Sequence, residues 1–230
     1  MFATLALALL GTAVGQDSVP PPGGPVDIGI VRDSDISVVQ KLKYAKAGRT
    51  EFGVHAGVMP FDAYTFTPKA ELSFGKHTNE AWMWEVAIGG GYSIKNGTYK
   101  TLEGPAYGAA PDAYGYLGSA LITAQWSPIY AKMSWEGNKV IHHDVYFLGG
   151  AGATLEQALL PDNSMAVAPT VALGLGFRLF LSEKSALRIQ LRDDILYEKR
   201  TKTEETQPYF IKQNVGVTVG YTMLGKAKRS

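Results

Sequence analysis

The chain has 230 residues and a formal net charge of +1, which allows one large all-β domain and gives no electrostatic case for binding nucleic acid. It has no cysteine, which excludes disulfide bonds and a lipid-modified cysteine. No apolar run reaches the length of about 18 residues that a membrane-spanning helix needs, whereas a barrel with a polar lumen is compatible with 19% charged residues.

The amino end predicts export. Phe2–Leu10 has the length and apolarity of a signal-peptide core, and Ala13–Gly15 supplies small residues for cleavage, so residues 1–15 are predicted to be a signal peptide. A buried helix is the alternative. It is disfavoured because polar sequence follows the apolar run at once.

Residues 16–48 are predicted to be a periplasmic leader. Pro20–Pro25 (PPPGGP) can form neither a helix nor an inner strand and is therefore a linker. Asp33–Lys46 has apolar residues at spacings near three and lysines late in the run, which predicts a short amphipathic helix; a solvated leader is the alternative.

Met165–Leu181 shows the pattern that the rest of the chain repeats. One parity carries Val171, Leu173 and other bulky apolar residues, and the opposite parity carries Gly174, Gly176 and other small residues with one arginine. Period two indicates a strand, and a water-exposed polar face would favour Thr, Lys or Glu over glycine. We therefore expect lipid on the bulky face and a crowded lumen on the glycine face.

The same alternation predicts an antiparallel up-and-down transmembrane β-barrel of about eight strands within residues 49–224, followed by a polar tail at residues 225–230. The predicted strands are Thr50–Met59, Tyr64–Gly75, one from Trp82, Tyr116–Trp126, Lys139–Ala153, Met165–Leu181, one from Ser185, and Tyr209–Leu224.

The connections between these strands differ in length. Residues 94–115, 154–164 and 199–208 are predicted to be long loops on one rim, and short turns at 76–80 and 182–184 belong to the other rim. This asymmetry is typical of bacterial outer-membrane barrels. Residues 127–138 stay ambiguous, since Pro128 interrupts a strand ladder, and are either a rim element or a strand extension.

Two sets of side chains are the candidate functional residues. The inward parity carries five acids and five bases, which predicts an ion-pair network in the lumen: Glu51, Lys69, Glu71, Glu85, Asp144, Arg178, Arg188, Arg192, Asp194 and Lys212. Aromatic residues near the strand ends predict an interfacial girdle, with ordinary core aromatics as the alternative: Trp82, Trp84, Tyr92, Trp126, Tyr197, Tyr209 and Tyr221.

Enzymatic and ligand-binding motifs are weak. His142 and His143 offer an imidazole beside Asp144, and Ser127, Ser134 or Ser164 could supply a hydroxyl for a surface enzyme. On a strand, however, the two histidines point to opposite faces and cannot act as a pair. The four histidines lack metal-ligand spacing, and the glycine runs lack the helix and the GK[ST] of a phosphate loop. We expect no enzyme activity, cofactor or metal.

Four segments carry a family resemblance: QKLKYAKAGRTEFGVHAGVMPFDAY, QWSPIYAKMSW, DVYFLGGAGA and LRIQLRDDILY. Together they resemble the myxococcal-type outer-membrane β-barrel domain family, a relative of OmpA-like small barrels, over about Val38–Met223. The resemblance implies a barrel in the bacterial outer membrane, and similar barrels occur in envelope assemblies that include gliding-motility machinery. The chain departs from many barrels at its end, where GKAKRS follows Tyr221–Leu224 in place of an aromatic insertion signal.

These observations predict a structural or interaction component of the cell envelope that contacts outer-membrane lipids and periplasmic or outer-membrane protein partners. The alternative is a narrow channel for ions or small solutes, because a barrel of about eight strands is just wide enough to be filled by its own side chains.

Overall fold

The computed structural model describes residues 43–135, 139–159, 164–199 and 209–226. The predicted signal peptide and most of the predicted leader lie outside this part of the chain. The predicted helix at 33–46 is described only at its end, where Lys43 and Tyr44 form a turn and the next two residues have no regular structure.

Nine strands and one helix make up the described fold. In chain order they are β1 (Thr50–Met59), β2 (Thr65–His77), β3 (Trp82–Gly91), the two-residue β4 (Ile94–Lys95), α1 (Gly97–Glu103), β5 (Tyr114–Trp135), β6 (Lys139–Ala158), β7 (Met165–Ser182), β8 (Ser185–Lys199) and β9 (Tyr209–Leu224).

Eight of the strands close into a barrel. Each long strand pairs antiparallel with the long strands before and after it in the sequence. Strand β1 pairs with both β2 and β9, so the ring of eight strands is closed and has no free edge. Short β4 pairs only with Thr65 and Phe66 at the start of β2. The predicted antiparallel up-and-down barrel of about eight strands is therefore confirmed.

Side chains alternate between the lumen and the outer surface. Along β2 buried and exposed residues alternate at every position, because successive side chains of a strand point to opposite faces. The lumen is crowded enough to require glycine: a Cβ added at Gly176 would meet the ring of Tyr146, and one added at Gly220 would meet the ring of His55.

The prediction of a loop over residues 94–115 was wrong in its first half. Ile94–Lys95 pairs with Thr65 and Phe66, and α1 follows directly. The Asn96 side chain caps the helix by accepting a hydrogen bond from the backbone N–H of Tyr99 at 3.1 Å. The Tyr99 ring is buried and its hydroxyl donates to the carbonyl of Leu159 at 3.0 Å, which holds α1 against the end of β6.

Residues 127–135 form a strand extension, which decides the ambiguity around Pro128. The pairing of β5 with β6 shifts register between Trp126 and Ile129, so one extra residue on β5 forms a bulge. This bulge lets the chain pass Pro128 and continue to Trp135, since proline is tolerated where the ladder is interrupted. The predicted loop at 154–164 also starts too early, because β6 continues to Ala158.

The barrel has two unlike rims. The short-turn rim comprises residues 78–81 and 183–184, together with the start of β1 and the end of β9. The long-loop rim comprises residues 60–64, 92–113 and the described ends of the connection between β6 and β7. At the short-turn rim Phe180, Ala186 and Leu224 form a buried apolar cluster against which Tyr44 packs.

Candidate functional site

The lumen holds the charged side chains that strand alternation turns inward. Nine of the ten candidate residues are buried, and Lys212, near the long-loop rim, is half-buried. They come from seven different strands, so closure of the barrel is what brings them together.

The first of three groups crosses the lumen near the short-turn rim. Arg188 Nη1 lies 2.5 Å from Glu85 Oε2 and 3.4 Å from Glu51 Oε1. Arg178 lies 3.4 Å from the other Glu51 oxygen and 3.1 Å from Asp144 Oδ2. Two guanidinium groups thus link three carboxylates, and hydrogen-bonded pairing of this kind is what permits charges to be buried.

Neutral side chains complete this group. The Tyr146 ring lies between the two guanidinium groups, 5.2 Å from each, in cation–π geometry. Its hydroxyl accepts a hydrogen bond from Arg188 Nε at 3.2 Å and donates to Gln190 Oε1 at 3.0 Å. Gln125 donates to Glu85 at 2.9 Å and accepts from Arg178 at 3.3 Å.

The second group lies farther towards the long-loop rim. Arg192 forms a bidentate pair with Glu71 at 3.1 and 2.7 Å, and its Nε donates to Asp194 at 2.8 Å. Lys69 lies 3.8 Å from Glu71 and 3.9 Å from Asp194. Two bases and two acids balance in charge here.

The third group lies at the long-loop mouth. Lys212 Nζ lies 3.0 Å from Glu156 Oε1 and 3.6 Å from Asp62 Oδ2, and it donates to the backbone carbonyl of Tyr114 at 2.5 Å. Lys212 therefore ties β9 to β5, β6 and the turn after β1.

Several members of these groups were missed from the sequence. His77 Nε2 lies 2.9 Å from Glu51, and both His77 and Glu156 have the inward parity of strands whose predicted ends were too short. Continuing the alternation by a few residues would have found them. Lys46 forms a buried ion pair with Asp144, and no strand pattern covers that lysine.

The fold places the two histidines of the weak catalytic motif on opposite faces of β6. His142 faces inward, whereas His143 lies on the outer face with its ring 4.9 Å from that of Phe177. Asp144 Oδ2 is engaged by Lys46 and Arg178. Another histidine, His55, is hydrogen-bonded to Ser73 at 2.9 Å, and both are buried in the lumen. Among the described residues, no group of three or more His, Asp or Glu side chains is arranged to hold a metal ion.

The outer surface is apolar where a soluble protein would be polar. Val54, Leu72, Ile122 and Leu173 lie near the middles of different strands, and each exposes more than half of its surface. Contiguous exposed apolar areas of this kind mark contact with lipid or a partner. In the part of the chain that the structure describes, none of the helical residues forms a segment long and apolar enough to cross a bilayer.

Aromatic residues lie on this surface at both ends of the strands. Towards the short-turn rim are Trp82, Trp84, Trp126 and Tyr221, and Trp82 stacks on Trp126 with ring centroids 6.3 Å apart. Towards the long-loop rim are Tyr92, Tyr197 and Tyr209, and Tyr197 stacks on Tyr209 at 4.9 Å. All seven candidate girdle residues are exposed.

Comparison with solved structures finds barrels of bacterial outer membranes. The chain is similar to the N-terminal β-barrel domain of Pseudomonas aeruginosa OprF, at 9% identity over 76% of this chain and 98% of that domain, with a TM-score of 0.46. It is similar to the attachment invasion locus protein Ail of Yersinia pestis at 9% identity, over 78% and 99% of the two chains, with a TM-score of 0.40. It is similar to Neisserial surface protein A at 10% identity, over 76% and 94%, with a TM-score of 0.37.

No family model and no curated protein matches the chain. The resemblance to the myxococcal-type family therefore stays a prediction.

Proposed function

We propose that the chain is a β-barrel protein of the bacterial outer membrane that acts as a structural or interaction component of the cell envelope. The observation that carries the proposal is the inverted polarity of the barrel, with exposed aliphatic side chains outside and buried ion pairs inside. In water such a surface is an aggregation hazard, whereas in a bilayer it is the required one.

The packing of the lumen supports a scaffold over an open pore. The side chains of Arg178, Arg188 and Tyr146 are each at most 1% exposed. From β8, Arg188 contacts Glu85 on β3 and Tyr146 on β6 across the interior. An eight-stranded barrel has an interior just wide enough to be filled by its side chains. A porin with a wide aqueous path does not fit this interior, and a narrow channel would require these groups to separate.

The rims are where partners would bind. At the short-turn rim, the extension formed by Ile129–Trp135 and the start of β6 continues past Trp82, the first residue of β3, and the long-loop rim carries α1. Binding residues concentrate on loops that a rigid scaffold positions. The family resemblance directs the search for partners towards envelope assemblies, including motility machinery.

Two measurements test the membrane proposal. A closed barrel should migrate faster on SDS gels before boiling than after, and the mature protein should sediment with outer-membrane fractions. A monodisperse protein in detergent-free buffer, with its bulky outer side chains shielded from solvent, would contradict the proposal.

A third measurement separates the scaffold from the channel. In planar bilayers the scaffold should give no steady current, whereas steady, ion-selective current would establish the channel alternative. Crosslinking in intact envelopes followed by affinity capture should identify the proteins at the two rims if the scaffold reading is correct.

A further inference from the structure

The segment Lys43–Arg49 lies at the short-turn mouth of the barrel and contacts its rim. The ammonium group of Lys46 pairs with Asp144, and the two side chains are only 2% and 0% exposed. Asp144 also accepts from Arg178 at 3.1 Å, so the lysine extends the first ion-pair group of the lumen from outside the strands. If Lys46 were removed, the two positive charges of Arg178 and Arg188 would be left with the three negative charges of Glu51, Glu85 and Asp144.

Backbone contacts fix the same segment. Glu80, in the turn between β2 and β3, accepts the backbone N–H groups of Lys46 at 2.9 Å and Ala47 at 3.0 Å. Gly48 donates to the carbonyl of His77 at 2.9 Å, and a positive φ of 71° lets it turn the chain there.

Arg49 and Tyr44 attach the segment to the opposite side of the mouth. The Arg49 guanidinium donates to two backbone carbonyls. One belongs to Gly225, directly after β9, at 2.7 Å, and the other to Glu183, in the turn after β7, at 2.5 Å. Tyr44 stacks on Phe180 at 5.4 Å. The segment therefore contacts β2, β6, β7, both short turns and the residue that follows β9.

We propose that Lys43–Arg49 is a plug that seals the short-turn mouth of the lumen and fixes the point at which the preceding chain leaves the barrel. The mouth is a binding site for a lysine ammonium and an arginine guanidinium three residues apart. Hydrogen bonds to ionised partners are about twice as strong as neutral ones, so Asp144 and Glu80 carry much of the attachment. This inference goes beyond the proposed envelope role and does not depend on any partner.

Trypsin tests the plug in the full-length protein folded in detergent micelles. Lys43 is exposed, whereas Lys46 and Arg49 are 2% and 6% exposed, so cleavage should occur after Lys43 and be slow after the other two. Cleavage follows the population of the undocked segment. We expect Asp144→Asn and Glu80→Gln to accelerate cleavage after Lys46 and Arg49 by about tenfold or more, as a loss of about 1.4 kcal/mol would.

Glu183→Gln is the matched control, because Glu183 lies on the same rim and contacts the segment through its backbone carbonyl. Glu183→Gln should leave the ratio of cleavage after Lys46 and Arg49 to cleavage after Lys43 unchanged. Heat-modifiable migration verifies that each variant is folded, and Glu80→Gln decides the outcome if Asp144→Asn does not fold. Cleavage after Lys46 as fast as after Lys43 in the unaltered protein, or an unchanged ratio in every folded variant of Asp144 and Glu80, would overturn the proposal.

Thiol labelling tests the seal separately, since the chain has no cysteine of its own. Thr222→Cys places a thiol on β9 near the plug, where Thr222 is 0% exposed, and Thr154→Cys places one near the opposite rim, where Thr154 is also 0% exposed. With Lys46→Ala added, a charged thiol reagent should label position 222 at least about tenfold faster and position 154 at the same rate. Equal labelling of position 222 with and without Lys46 would overturn the seal.

Discussion

Arg188 reaches across the lumen to Glu85, with Nη1 2.5 Å from Oε2, and so joins β8 to β3, two strands that are not neighbours in the sheet. Both side chains are buried, at 1% and 3% exposure. The pair therefore links opposite walls of the barrel. Hydrogen bonds between strands cannot make such a link.

Replacing one partner of this pair should destabilise the barrel strongly. Glu85→Ala leaves the Arg188 guanidinium without its nearest carboxylate, and breaking a buried pair in this way lowers the free energy of unfolding by about 3–5 kcal/mol. Urea-induced unfolding followed by tryptophan fluorescence measures the change. Glu103→Ala is the control, since its pair with Lys95 at 3.3 Å is solvent-exposed and should contribute less than about 1 kcal/mol. Equal effects of the two changes would contradict the prediction.

Glycine at position 176 should be required for packing. In Gly176→Ala the new methyl group meets the Tyr146 ring, and overpacking of this kind lowers the free energy of unfolding by about 1–3 kcal/mol. Gly149→Ala provides a comparison on the outer face, where the added Cβ would lie at an ordinary 3.7 Å from Leu173. The Gly149 variant should be neutral or slightly more stable. The prediction fails if Gly176→Ala unfolds at the same urea concentration as the unaltered protein.

A charge on the outer face should be harmful in proportion to its depth in the membrane. Leu173 lies at the middle of β7 and is 53% exposed, whereas Leu181 lies next to its short-turn end. Arginine should lower the stability in vesicles by about 2–4 kcal/mol at the first position and by about 0–1 kcal/mol at the second. Folding titrations in urea with phospholipid vesicles measure both values. Similar values at the two positions would argue against a bilayer around this surface.

The girdle prediction can be tested by the depth of a single tryptophan. With Trp84, Trp126 and Trp135 replaced by phenylalanine, Trp82 at the start of β3 should be quenched more by lipids brominated near the headgroup than by lipids brominated near the chain end. Leu173→Trp, with all four native tryptophans replaced, should show the opposite preference. Trp82 quenched best from the bilayer centre would be inconsistent with a girdle at this rim.

Local alternation was sufficient to predict the barrel. Residues such as Leu173 and Arg178 follow a period of two, which a strand alone produces, and this period assigns each side chain to a face without knowledge of its neighbours. Antiparallel pairing of consecutive strands is then expected, because strands that follow one another in sequence usually lie side by side in the sheet. The same reasoning extended by two residues would have assigned His77 to the lumen.

The tertiary structure decided which residues meet. The bulge that carries β5 past Pro128 depends on pairing with β6, and the position of α1 depends on the contact between Tyr99 and Leu159. Asp144 and Lys46 are 98 residues apart, and no local pattern marks that lysine for the lumen. Periodicity is a property of neighbouring residues and can be read from them, whereas the contacts across the lumen exist only after the sheet has closed and brought opposite strands within reach.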